Sequence, residues 1–116
     1  MYSRVDRVRK TIMKELSDIL QKDVRDPRIE GVISIIDIDL ASDFALAKIY
    51  MSIYGTKEHQ ETVMEALNAS APRMRKEIGK RIRLRNTPEL KFYLDNSLER
   101  GSKVTDIINK ISRGEL

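Results

Sequence analysis

Apolar residues in this 116-residue chain switch between two spacings, and the order of the switches limits what it can fold into. Val5, Val8, Ile12, Leu16, Ile19 and Leu20 fall within about a 120° arc at 100° per residue, the mark of an amphipathic helix over about Arg4 to Lys22. Ser3 can cap it, with Asp6 placed for a reciprocal capping box. Asp26-Pro27 closes the segment, because a residue before proline is pushed out of helical geometry. Strand spacing follows from Gly31 to Leu40. Ser34 interrupts an Ile/Val-rich run, and Ile36, Ile38 and Leu40 then alternate with Asp37 and Asp39. Ala41-Ser42-Asp43-Phe44 leads to a second strand from Leu46 to Tyr54. It has Ala47, Ile49, Met51 and Ile53 on one face and Lys48, Tyr50, Ser52 and Tyr54 on the other. So short a link implies antiparallel pairing.

Helical spacing returns after Gly55. Thr56 can cap a helix from Lys57 to about Ala69 that buries Val63, Ala66 and Leu67. Ser70-Ala71-Pro72 is expected to interrupt it, and Pro72 suits the first position of a new helix running to about Arg83 on a stripe of Met74, Ile78 and Ile82. A third strand, Glu89 to Asp95, places Leu90, Phe92 and Leu94 inward. A last helix, about Ser102 to Ser112, carries Val104, Ile107, Ile108 and Ile111. The order α-β-β-α-α-β-α predicts an α+β fold, with a three-stranded sheet covered by helices on one face. The Ile-rich first strand is the expected centre of that sheet. One domain over residues 1–112, with a short tail at 113–116, fits the length.

Charge is distributed unevenly. Residues 30–66 hold two Lys/Arg and seven Asp/Glu, whereas residues 72–91 hold eight Lys/Arg and two Asp/Glu. Arg73 to Arg85 packs seven cations against the single acid Glu77. Arg73, Lys76, Lys80 and Arg83 would share about an 80° arc if the helix reached them all. Such a ridge suits a polyanion. Arg81 and Arg85 extend the candidate set, and Arg4, Arg7 and Lys10 form a second patch on the first helix. Tyr50, Tyr54 and Tyr93 fall on the outer sheet face, where cross-strand packing is the simpler reading and base stacking the other.

Other chemistry finds little support. The chain lacks cysteine, which excludes disulfides and thiolate chemistry and suits a reducing compartment. There is no P-loop, dinucleotide fingerprint or zinc spacing. The N-terminal residues are too polar for a signal peptide, and no apolar run nears membrane-spanning length. Asp37 and Asp39 would need further ligands to hold Mg²⁺ for a nuclease, so a solvated strand face is the plainer reading. His59 reads as a surface residue. A soluble, cytoplasmic, monomeric protein without cofactor or metal is expected.

The α-β-β-α-α-β order resembles a type II KH RNA-binding domain. Three stretches narrow the likeness: Arg4-Val5-Asp6-Arg7-Val8, Arg25-Asp26-Pro27-Arg28-Ile29, and the block from Arg83-Leu84-Arg85-Asn86-Thr87-Pro88 through Asp95-Asn96-Ser97. Together they resemble the ribosome-binding factor A family over nearly the whole chain. The resemblance implies binding to the free 30S subunit during late maturation of 16S rRNA, support for 5′-end processing, and importance in the cold. A typical KH domain grips RNA with a Gly-x-x-Gly loop, which this chain lacks. The family instead has an Ala-x-Gly kink. Here the matching residues are Ala69-Ser70-Ala71, and Pro72 is expected to bend the helix by another route. A stand-alone KH-like RNA-binding protein is one alternative. A protein-interaction module using the acidic segment between Glu30 and Glu65, or the helix with Ile107, Ile108 and Ile111, is another.

Overall fold

The computed structural model of the chain describes residues 3–22 and 26–95. Two helices cover one face of a three-stranded sheet: α1 (Arg4–Lys22), β1 (Ile33–Leu40), β2 (Leu46–Ile53), α2 (Lys57–Arg81) and β3 (Glu89–Leu94). The α+β fold expected from the apolar spacing is the one found. The helix expected from Ser102 to Ser112, the tail at 113–116 and residues Asn96 and Ser97 of the resemblance block lie outside the described residues.

α1 starts as its first residues dictate. The Asp6 N–H donates to Ser3 Oγ at 3.1 Å, and the Ser3 N–H donates back to Asp6 Oδ2 at 3.3 Å. These bonds satisfy amides that the first turn leaves without partners. Ile12, Leu16 and Ile19 are buried against the sheet and α2, with Val5, Val8, Met13 and Leu20 around them. α2 is capped by Thr56, whose hydroxyl accepts from the His59 N–H at 3.1 Å.

The sheet order is β1-β2-β3, with β1 antiparallel to β2 and β3 parallel to it. β2 is therefore central, which corrects the expectation that β1 would be. The reason lies in the connections. β1 and β2 form a hairpin, so β1 needs only one neighbour. A parallel partner for β2 requires a crossover, and α2 is long enough to supply it. Ala47, Ile49, Met51 and Ile53 then lie under the helices, all buried.

β1 departs from simple alternation. Its pairing with β2 shifts between Ile35 and Asp37, a β-bulge at Ile36. Ile33 and Ile35 face inward before it, and Ile38 and Leu40 face inward after it. Ile36 is 41% exposed. The inward run expected to begin at Ile36 begins instead at Ile38, because the extra residue reverses the side-chain parity. A bulge on an edge strand also disturbs the row of free backbone groups that would invite pairing with another chain.

α2 runs unbroken for 25 residues with Pro72 inside it. The expected division into two helices at Ser70-Ala71-Pro72 is absent as a break. Val63, Leu67, Ala71, Met74 and Ile78 keep one helical phase across the proline, so a single helix buries the whole stripe. Pro72 leaves the Asn68 carbonyl without its usual helical donor. Asn68 meanwhile ties the helix to β3. The Phe92 N–H donates to its Oδ1 at 3.0 Å, and its amide donates to the Phe92 carbonyl at 3.2 Å.

Gly55 closes β2 with φ 141°, and a methyl group there would lie 2.8 Å from His59 Cδ2. His59 is half-buried between Gly31 and Gly55 rather than at the surface as expected.

Replacing Ile49 with Ala is expected to destabilise the fold by about 2–5 kcal/mol in urea unfolding. Ile36→Ala should change stability by no more than about 0.5 kcal/mol. Comparable losses at the two positions would place Ile36 in the core and remove the bulge.

Candidate nucleic-acid interface

The basic segment occupies the second half of α2 and the loop that follows. Arg73, Lys76 and Lys80 are exposed and lie within about a 60° arc, roughly 130° from the buried stripe. The first half of the helix presents Glu58, Glu61 and Glu65 toward solvent. Acids near the N-terminus and bases near the C-terminus both complement the helix dipole. One helix thus carries opposite charge at its two ends.

α1 adds to the positive side. It packs on β1 and against α2, which packs on β3, so both helices form one layer over the sheet. Both bury their apolar stripes toward the sheet. Arg7 and Lys10 on α1 are therefore exposed on the same outer side as Arg73, Lys76 and Lys80.

The other cations take different positions. Helix α2 ends at Arg81, and Ile82 turns extended with φ −121° and ψ 126°. Arg83 therefore leaves the helical arc that would have aligned it with the ridge, although it stays exposed. Arg75 donates twice to the Thr87 carbonyl, at 3.1 and 2.9 Å, and pins the α2–β3 loop to the helix. A methyl at Gly79 would come within 2.9 Å of Thr87 Oγ1, so the loop lies close against α2 there too. Arg85 is exposed in that loop. Arg4 stands over the Phe44 ring, its guanidinium carbon 5.5 Å from the centroid.

Arg81 departs furthest from its expected role. It lies in the helical phase of the buried stripe and is 22% exposed. Its guanidinium reaches Asp18 at 2.8 Å, Glu15 at 3.2 Å and Glu77 at 3.2 Å. It joins α1 to α2 instead of facing outward. The Arg81 hydrogen bond, followed by that from Lys22 at 2.9 Å, holds the Asp18 carboxyl below its ordinary value of 3.8. Asp26 is likewise lowered, by the Arg28 guanidinium first and then by the Arg28 backbone N–H. These bonds close the Asp26-Pro27-Arg28 turn. Asp37, weighed above as a metal ligand, pairs with Arg9 at 2.9 Å. Among the described residues no group of three or more His, Cys, Asp or Glu side chains could hold a metal ion.

The outer sheet face carries Tyr50 beside Tyr93, rings 5.8 Å apart and tilted by 30°. Lys48 and Lys91 form the neighbouring cross-strand pair. A cleft of about 380 Å³ lies between α2 and β3, bordered by Asn68, Ala71, Pro72, Arg75 and Lys91. Ala69 and Ser70 complete the turn of helix before Pro72. Among the described residues no helix is long and apolar enough to cross a membrane.

The family model for ribosome-binding factor A matches residues 4–108. The chain belongs to the ribosome-binding factor A family. It is 42% identical over 109 residues to ribosome-binding factor A of Acetivibrio thermocellus, covering 94% of this chain and 89% of that one. The solution structure of a putative ribosome-binding factor A from Thermotoga maritima matches with a TM-score of 0.68 at 33% identity, over 75% of this chain and 82% of that one. A Thermus thermophilus ribosome-binding factor A, described as a homology model fitted into the map of a 30S complex, has the same fold. Its TM-score is 0.63 at 20% identity, over 78% of this chain and 93% of that one. The family resemblance read from the sequence is thus borne out.

Sequence reasoning missed Asn68 and Phe44. Asn68 had no signal beyond its place one turn before Pro72. Phe44 looked like a turn residue.

The lowered Asp18 carboxyl gives a testable sign. Its stabilising contribution is full above 3.8 and is lost as pH falls through the folded-state value. Arg81→Met, which keeps much of the side-chain bulk, should move Asp18 up toward 3.8 and shrink the acid-induced loss of stability attributable to it. Carboxyl-carbon NMR titration and urea midpoints below about pH 4 measure both effects. An unchanged Asp18 titration would break the assignment.

Proposed function

We propose that this chain is a non-catalytic assembly factor that binds the free 30S subunit and its 16S rRNA through the basic outer face of its helices. In this reading it assists late 30S maturation and 5′-end processing of 16S rRNA, acts as a monomeric single domain in the cytoplasm, and matters most in the cold. The observation that carries it is the outward row Arg73, Lys76 and Lys80, with Arg7 and Lys10 beside it, in a chain of this family. The Thermus relative fitted into a 30S complex supports the small subunit as partner.

The physical mechanism is differential binding. A protein shifts a folding RNA only if it holds one arrangement more tightly than another. Cations on one rigid helix suit phosphates held at a fixed spacing, and arginine adds forked contacts. Arg83, Arg85 and Arg4 extend the contact beyond the end of α2. Arg81 supports the surface from beneath. Ala69-Ser70-Ala71-Pro72 is the counterpart of the family's kink, and its cleft beside Arg75 and Lys91 offers a second place for the RNA backbone.

Binding to purified small subunits is expected to weaken steeply as salt rises, because each phosphate contact releases counterions. The double variant Arg73→Glu with Lys80→Glu should lose at least about tenfold in affinity and show a shallower salt slope. Its thermal unfolding should stay near wild type, since both side chains face solvent. A flat salt response, or full association of the double variant, would remove the helix from the interface.

A further inference from the structure

Phe44 has φ 60°, and among the described residues it is the only non-glycine with positive φ. A bulky side chain seldom adopts this left-handed conformation, and such strain persists only where neighbouring groups impose it. Here the Phe44 N–H donates to the Ala41 carbonyl at 2.9 Å. The Ala45 N–H donates to Asp43 Oδ1 at 3.0 Å. A glycine would sit at this position without strain, yet the chain places an aromatic ring there.

The ring lies beside a cavity of about 370 Å³ lined by Arg4, Asp43, Phe44, Leu84, Arg85 and Asn86. Three separate segments build it: the first turn of α1, the β1–β2 turn and the α2–β3 loop. They meet at the end of the sheet where β1 stops and β2 and β3 start, and the Glu89 N–H bonded to the Ala45 carbonyl at 2.9 Å fixes the two loops together. The cavity combines an aromatic face, two guanidinium groups, an amide and a carboxylate. Its size is within the range of small-molecule sites, roughly 300 Å³ upward.

The geometry points to a pocket for one unpaired nucleotide of RNA. The Arg4 guanidinium lies over the Phe44 ring at 5.5 Å, so a base stacks on the outer face of the Arg4–Phe44 pair. Arg85, exposed at the rim, is placed for the adjoining phosphate. Asn86 and Asp43 bring donor and acceptor groups to the base edge. A duplex keeps its bases stacked inside and cannot enter such a pocket. The site therefore adds recognition of an exposed base to the phosphate ridge, which by itself carries little sequence information. This inference rests on the RNA-binding reading above; it shares Arg4 and Arg85 with that reading and adds Asp43, Phe44 and Asn86.

The test uses the full chain and two fluorescent probes: a short single-stranded RNA of mixed sequence, and the same strand annealed to its complement. Wild-type protein should prefer the single strand. Phe44→Leu, which keeps apolar bulk, should weaken single-strand binding by about tenfold, because Arg4 loses the ring that holds its plane ready for the base, and leave duplex binding unchanged. Phe44→Tyr should restore it. Phe44 packs against the edge of the core, so thermal unfolding of each variant accompanies the measurement. Arg85 is exposed, so Arg85→Gln should lower single-strand affinity more than duplex affinity without altering stability; it decides the matter if Phe44→Leu fails to fold, because an equal loss on both probes would mark a plain phosphate contact and overturn the pocket. Equal single-strand affinity in wild type and these variants would overturn the pocket while leaving the phosphate ridge standing, because the ridge is judged by Arg73→Glu with Lys80→Glu on small subunits. Absence of any single-strand preference in the wild type would overturn the pocket as well.

Discussion

Parallel pairing of β3 with β2 organises most of this molecule. Two parallel strands cannot be joined by a tight turn, so the chain must cross the sheet between them, and α2 makes that crossing. To cross and still bury its stripe, α2 must lay Val63, Leu67, Met74 and Ile78 on the sheet. Its opposite side is then committed to solvent over the whole length. The outward projection of Arg73, Lys76 and Lys80 follows from core burial at other positions of the same helix. Asn68 reinforces this by bonding both backbone groups of Phe92 on the outer edge of β3, which has no strand neighbour there among the described residues.

The cations divide into two groups that sequence proximity hides. Arg75 and Arg81 lie in the same short segment as Arg73, Lys76 and Lys80, yet they hold the structure together. Arg75 fastens the loop before β3, and Arg81 gathers carboxylates from α1 and α2. Removing the Arg81 charge would leave Asp18, Glu15 and Glu77 crowded without their shared counterion. A positive surface patch can therefore rest on an arginine that does not belong to it.

Much of the fold was legible beforehand. The capping box at Ser3 and Asp6, the Thr56 cap, the hairpin and the third strand follow from local rules, and they lie where those rules put them. The misreadings share a cause. Ile36 obeys strand alternation locally, but only pairing with β2 reveals the extra residue that turns it outward. Pro72 is a helix breaker by local rules, yet the apolar stripe on either side of it holds one phase, and burial of that stripe favours a continuous helix. His59 looked solvent-exposed until Gly31, distant in sequence, closed on it opposite the nearby Gly55. Phe44 is an ordinary turn residue in sequence, because a backbone angle is not written in a residue name.

By itself the amino-acid sequence determined the type and order of the elements, the inward faces of the helices and β2, and the concentration of positive charge after Pro72. Those features arise from periodicity, capping and composition, which act over a few residues. Tertiary structure alone decided that β2 is central, that Arg81 meets Glu15 and Asp18 of α1, and that Arg4, Phe44 and Arg85 meet at one end of the sheet. Each of those outcomes depends on which distant segments come into contact. Strand pairing and helix packing fix that choice, and no local propensity contains it.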